Sequence, residues 1–398
     1  MKKMTQYKID LYLFFLLFLF ILTSIITIQS ATYILDEDMS NLAIKQGLWY
    51  LCGFILVFFI LKIKNNFILK HCWIFYIIGN IFLFLLLIFG TPINEAKCWF
   101  SIKGIGTIQP SEFMKIILIV VLAKMINTFH DKYSNPTVKE EFLFLIKVGI
   151  VVAIPSFLTF LEPDTGVVLI YLLITITMLF VSGIRYRWFI LLFTILIILI
   201  GLVLGTYFID QDLFIKLFGT NFFLRVDRLL DWSNKSGYQL ETALAAIGSA
   251  NLFGHGINQT PLYFPEPQTD FIFAVYSSNF GLIGSLFLLI LITLFDLRLI
   301  TIASRSKSDM NKYIIAGIVG MLIYQQFQNI GMTFGVMPIT GITLPFISYG
   351  GSSLLSYMIM IGIVFNITIE NKNHSNWMVN FDYIYRKKLI HIQDHDMH

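Results

Sequence analysis

The side chains that could do chemistry sit mostly beside apolar runs. In FPEPQTDFIFAV, residues 264–275, Asp270 stands at the lip of an apolar stretch that continues to Phe295. A carboxylate facing lipid is costly, so Asp270 either faces a polar cleft, where it could take a proton from a substrate, or caps the following helix. In AKCWFSIKGIGTIQPSEFMK, residues 96–115, Pro110 breaks a loop just before a helix and Ser111 is placed to cap it. Glu112 and Lys115, three apart, can pair on one helical face, and Trp99 suits an interfacial anchor. LEPDTG, residues 161–166, is a turn whose Asp164 either caps the next helix or faces a cavity. Further along, Arg225 and Arg228, with Lys235 nearby, either receive phosphate oxygens in a bidentate way or snorkel to headgroups. Gly248, Gly254 and Gly256 give close backbone approach, but their spacing is neither a Walker loop nor a dinucleotide fingerprint.

The elements that must position these groups follow from composition. Over 398 residues the chain is 57% hydrophobic and 13% charged, with a mean hydropathy of +0.77. A soluble domain of this size needs more charge than that, so the expected class is an all-α polytopic membrane protein. The formal charge of +4 is no argument for nucleic acid. Cys52, Cys72 and Cys98 show no CxxC spacing, which argues against a disulfide framework or a zinc site.

Ten apolar runs can cross about 30 Å of hydrocarbon. They cover 11–29, 46–62, 72–90, 111–129, 142–160, 165–183, 188–208, 269–296, 313–332 and 344–368. The basic segments MKKMTQYK, KIKNNFILKH, SGIRYRW and LRLITIASRSKSDMNK then share one side, and positive-inside bias makes both termini cytoplasmic. The first run is read as a retained span and not a cleaved signal peptide. Residues 1–370 form one membrane domain and 371–398 a basic cytoplasmic tail. The outer side receives the segment 209–268, which has apolar faces for interfacial helices and in TALAAIGSANLFGHG a short helix ending in glycine turns. All four polar clusters fall on that outer side.

QPSEFMK, RLLDW, GYQLETALAAIGSANLFGHG, PEPQTDFIFAV with FGLIGS, and GITLPFISYGGSSLLS occur in that order between residues 96 and 365. Together they resemble the signature segments of the SEDS family, the shape, elongation, division and sporulation proteins of bacteria. The resemblance implies a ten-helix fold in the cytoplasmic membrane that polymerises lipid II into peptidoglycan glycan strands, with a class B penicillin-binding protein as partner. By resemblance Asp270 matches the essential aspartate, the base for the acceptor 4-hydroxyl in a single inverting displacement. The departing pyrophosphate needs positive charge, from Arg225, Arg228, Lys97 or a divalent cation such as Mg or Mn. Glu112 and Lys115 are expected to shape the cavity as a pair, and they are counted with Trp99, Ser352 and Ser353 among the substrate-binding residues. Gly350, Gly351, Ser352 and Ser353 would allow close helix approach or an intramembrane cleft.

Three departures stand out. Ser277, Ser278 and Asn279 occupy the region where the family usually carries a Glu-Glu pair. Cys98 replaces an Arg before Trp99, and the PDTG turn is shorter than the commoner form. Two other functions compete: a lipid II flippase, which needs access from both leaflets, and a non-catalytic scaffold of the cell-wall machinery, favoured by the lost acidic pair.

Overall fold

A computed structural model describes residues 9–35, 41–93, 96–102, 106–220, 222–223, 226 and 238–372. Eight of its helices are long and apolar enough to cross a membrane: α1 (Leu11–Thr32), α2 (Leu42–Ile63), α4 (Cys72–Phe89), α5 (Pro110–Lys132), α6 (Val138–Leu161), α8 (Tyr186–Ile209), α11 (Ile272–Ser304) and α13 (Gly351–Lys372). The short α3 (Asn65–Lys70) joins α2 to α4.

Among the described residues two more helices bring the bundle to ten, as the apolar runs predict. α7 (Thr165–Val181) is apolar but only 17 residues long. α12 (Asp309–Thr333) is long enough but carries Gln325, Gln326, Gln328 and Asn329, all buried. Those amides face protein and not lipid, because α12 is central and packs on α5, α7 and α11. At the other extreme α8 is apolar all round, with none of its most apolar window buried, so it lies at the periphery.

Local chemistry sets several helix ends. Asp10 caps α1 through Leu13 N and takes a charged hydrogen bond from Arg298 of α11. Thr137 and Glu140 form a reciprocal capping box at the start of α6.

The structure corrects three expectations. Residues 91–108 are not an irregular loop. Thr91–Ile93, Ala96–Ile102 and Gly106–Ile108 form β1, β2 and β3 of an antiparallel meander, with Phe100 opposite Ile108. The short run AKCWFSI, with Lys97 and Ser101 among apolar residues and bounded by Asn94-Glu95 and Lys103-Gly104, fits a strand. Ser111 does not cap α5; the cap position is Gln109, and the Ser111 hydroxyl is buried without a partner. The last span begins at Gly351, not at 344, because residues 334–350 form a non-helical loop. Ile342, Leu344, Phe346, Ile347 and Ser348 of that loop are nevertheless buried. Irregular backbone at such a depth must have its polar groups satisfied by protein.

The segment 209–268 contains α9 (Gln211–Phe218) and α10 (Tyr238–Ser249). After α10 the chain turns through Gly254 (φ +80°) and Gly256 (φ +102°), as the glycine turns predict. The turn docks into α11 where Gly281 (φ +63°) interrupts the helix. His255 N and Gly256 N donate to the carbonyls of Ser278 and Asn279, and Leu282 N and Ile283 N donate to Asn251 and Leu252. A neighbouring loop thus satisfies the backbone groups that the helix break frees. A Cβ on Gly281 would come within 2.4 Å of Gly254 N.

Candidate active site

Asp270 lies in the turn that leads into α11. The cap position of that helix is Phe271, so the capping role weighed for Asp270 is not the one it takes. The turn is clamped by the loop 334–350, whose 342–348 stretch is largely buried. Asn329 of α12 donates from one amide to the carbonyls of Asp270 (2.9 Å) and Ile342 (2.8 Å). Ser348 donates to Thr269 O at 2.6 Å, and Tyr349 N to Gln268 O at 2.9 Å. Gln46 of α2 and Ser24 of α1 hold the loop's far side through Ser348 O and Ile347 O.

Within this clamp the carboxyl of Asp270 faces Gly341, whose absent Cβ would sit 3.7 Å from Oδ2. Asp270 keeps partial access to solvent, yet desolvation by the surrounding protein, reinforced by the charge of Glu266, pushes its carboxyl up to about 7. Thr269 opposes this rise. Glu266 accepts from Thr269 and Gln268, each at 3.0 Å.

A second group of polar side chains adjoins the same loop. Gly166 at the start of α7 packs so closely that an added Cβ would lie 3.1 Å from Ile342 and 3.2 Å from Thr340 O. Asp164, just before it, caps α7 through Val167 N (3.1 Å) and accepts from Gln109 Nε2 (2.8 Å). Gln109 N in turn donates to the Ser352 hydroxyl at 3.0 Å, and Ser352 donates to Thr107 O at 3.3 Å. Burial pushes Asp164 up to about 6 against the hydrogen bonds from Val167 and Gln109, with Glu112 raising it further and Lys115 lowering it. Glu162, fully buried with neither carboxyl oxygen hydrogen-bonded, is pushed up to about 8 by burial and then by Asp164.

The predicted site residues therefore separate by place. Glu112 and Lys115 form a 2.8 Å ion pair sealed inside the protein, with Lys115 over the Tyr357 ring. Ser352 ties the meander to α13, and Ser353 donates to Gly350 O within its own helix turn. Lys97 is exposed on β2 and Trp99 is half-buried there. Arg225, Arg228 and Lys235 lie outside the described residues. Cys98 is buried against Glu162 O and its thiol is pushed up to about 12 by burial, then by Asp164 and Glu162, so it is neutral and inert.

Gly351 meets Trp49, Gly53 meets Met358, and Gly362 meets Ile60, so α2 and α13 touch along small residues. Among the described residues no three His, Cys, Asp or Glu side chains group as metal ligands.

The family of FtsW, RodA and SpoVE, described as cell cycle protein, matches residues 10–373. The chain belongs to this family. It is 31% identical over 380 residues to the probable peptidoglycan glycosyltransferase FtsW of Hydrogenovibrio crunogenus, covering 92% of this chain and 93% of that one. Stage V sporulation protein E of Bacillus subtilis is 33% identical over 378 residues, covering 90% and 96%. In fold the chain resembles a structure solved in work on the structural coordination of polymerization and crosslinking by a peptidoglycan synthase complex. The TM-score is 0.75 at 24% identity, over 92% of this chain and 98% of that one. As a SEDS protein the chain is a multi-pass membrane protein of cell-wall synthesis.

Sequence reasoning missed Asn329, Gln109 and Gln46, which hold the site together. The signal for Asn329 was available: four amides in QQFQN inside an apolar run are costly unless they serve a buried partner. Gln109 carries no such mark. Its importance comes from contact with Asp164, which lies far along the chain.

Proposed function

We propose that this SEDS protein polymerises lipid II into glycan strands at the outer face of the cytoplasmic membrane, with Asp270 as general base. The observation that supports this reading is the placement of Asp270. Its carboxyl is spent neither on a helix cap nor, among the described residues, on an ion pair. It faces a glycine, and its proton affinity is raised toward neutrality. The acceptor 4-hydroxyl gives its proton to Asp270 as its oxygen bonds to the anomeric carbon. The bond from that carbon to the pyrophosphate oxygen breaks, and undecaprenyl pyrophosphate leaves. One displacement inverts the sugar carbon, as in glycosidases whose carboxylate activates the nucleophile.

Positive charge for the pyrophosphate is assigned to Lys97, exposed on β2, with Arg225 and Arg228 as further donors. A divalent cation is a further source of positive charge for the pyrophosphate. The family resemblance implies a class B penicillin-binding protein as partner, and positive-inside bias implies cytoplasmic termini. A name that couples polymerization to crosslinking, borne by a structure of the same fold, supports that pairing.

The test is polymerisation of lipid II by purified protein, alone and with candidate class B partners. Wild type forms glycan polymer and Asp270→Ala forms none; polymer at the wild-type rate from the variant would remove Asp270 as base. Translocation of lipid II across vesicles without polymer would favour the flippase reading.

A further inference from the structure

At the end of the bundle remote from Asp270, α4, α5 and α6 enclose a cleft of about 440 Å³. α5 starts beside Ser352 and Asp164 and runs for 23 residues, roughly 35 Å, so its last turn reaches the opposite membrane edge. The cleft holds three lysines, Lys124, Lys132 and Lys147, and a single acid, Glu140. That acid is already engaged by the amide (2.7 Å) and hydroxyl (2.8 Å) of Thr137 in the capping box. The lysines are less fully used. Lys124 donates to Leu69 O at 2.9 Å, which leaves two of its three N–H bonds. Lys132 rests over the Tyr133 ring, and Lys147 is exposed.

The remaining lining is apolar and includes Trp73 and the stacked pair Phe129 and Phe144, whose ring centroids lie 4.3 Å apart. Lys124 and Lys147 lie well inside their helices, eight residues before the end of α5 and nine after the start of α6. Each is therefore about 12 to 14 Å along the helix from the membrane edge. A cation at that depth extends toward the headgroups or finds an anion.

We infer that this cleft is a binding site for an anionic phospholipid of the leaflet opposite Asp270, its phosphate held by Lys124, Lys132 and Lys147 and its acyl chains laid along the apolar wall. Charge complementarity selects the headgroup, and the aromatic floor selects a lipid over free phosphate. Lys132, at the end of α5, strengthens attraction to anionic lipid by roughly fivefold. Trp73, 40% exposed in the cleft, provides a reporter.

The full-length protein is reconstituted in phosphatidylcholine vesicles containing a minority of brominated phosphatidylglycerol, or the same fraction of brominated phosphatidylcholine. Fluorescence lost on Trp73→Phe isolates the Trp73 signal from the other tryptophans. Stronger quenching of that signal by phosphatidylglycerol than by phosphatidylcholine is expected. Lys132→Gln with Lys147→Gln, which leaves the Lys124 bond to Leu69 intact, should reduce the preference by about fivefold or more. Equal quenching by the two lipids would overturn the inference, as would a preference unchanged in the double variant.

Discussion

At the residue scale, the behaviour of Asp270 with pH follows from its surroundings. A base acts only when ionised, and burial with Glu266 alongside pushes this carboxyl up to about 7. Polymerisation by purified protein should therefore climb with pH as a single ionisation centred near 7. Glu266→Gln removes the repelling charge and should move that limb to lower pH by less than about one unit, since burial is the larger cause. A rate profile unmoved by this change would separate Glu266 from the titration. The Glu112–Lys115 pair makes a different prediction. Lys115 is fully buried and Glu112 nearly so, hence Lys115→Met strands a carboxylate and should cost about 3–5 kcal/mol in thermal unfolding. Adding Glu112→Gln should return most of that loss. The sequence made this pair visible through its spacing and Asp270 through its cost in lipid. It could not show that Ser352 would be spent on Gln109 and Thr107, because those partners are distant in sequence, whereas Ser353 is spent locally on Gly350 O.

At the scale of elements, helices were legible and their interruptions were not. Length and apolarity located all ten long helices, since lipid demands them. The same apolarity hid residues 344–350, the part of the loop 334–350 that reads as the start of the last span; it is held open by Asn329, Ser348, Gln46 and Tyr50. Asn329 is the sharpest test of that clamp. Asn329→Leu leaves the Asp270 and Ile342 carbonyls unpaired and should lower stability by about 2–4 kcal/mol and depress turnover more than substrate binding. Glycines give a second test. Gly281→Ala meets the backbone of Leu252 and Gly254 at a positive φ and should prevent recovery of folded protein. Gly205→Ala, with nothing within 4 Å, should leave the melting temperature unchanged or raise it slightly. The region Ser277–Asn279 belongs to this joint. Asn279 donates to Ser30 of α1 at 2.6 Å and accepts from Thr260, so a neutral hydrogen-bonded network fills the place of the usual acidic pair.

For the molecule as a whole, two properties pull against each other. Glu162, Asp164 and Asp270 all bind protons more tightly in the fold than in an unfolded chain, where carboxyls titrate near 4. The folded state therefore holds more protons from about pH 4 up to about 6 to 8, and stability falls as pH rises through that window. Melting in detergent should be higher at pH 5 than at pH 8, while polymerisation runs the other way. Orientation is testable too: with native cysteines removed, Gln259→Cys should react with an impermeant maleimide from outside intact cells and Asn135→Cys only after lysis, both positions being exposed. Overall architecture was the most legible level because a bilayer permits few solutions. The docking of the Asn251–Gly256 turn into α11 has a consequence for biosynthesis. A spanning helix normally closes its own hydrogen bonds as it leaves the ribosome, but α11 borrows four from a segment made earlier. That segment is already synthesised when α11 emerges, so the order of residues along the chain is also the order in which this helix can be finished.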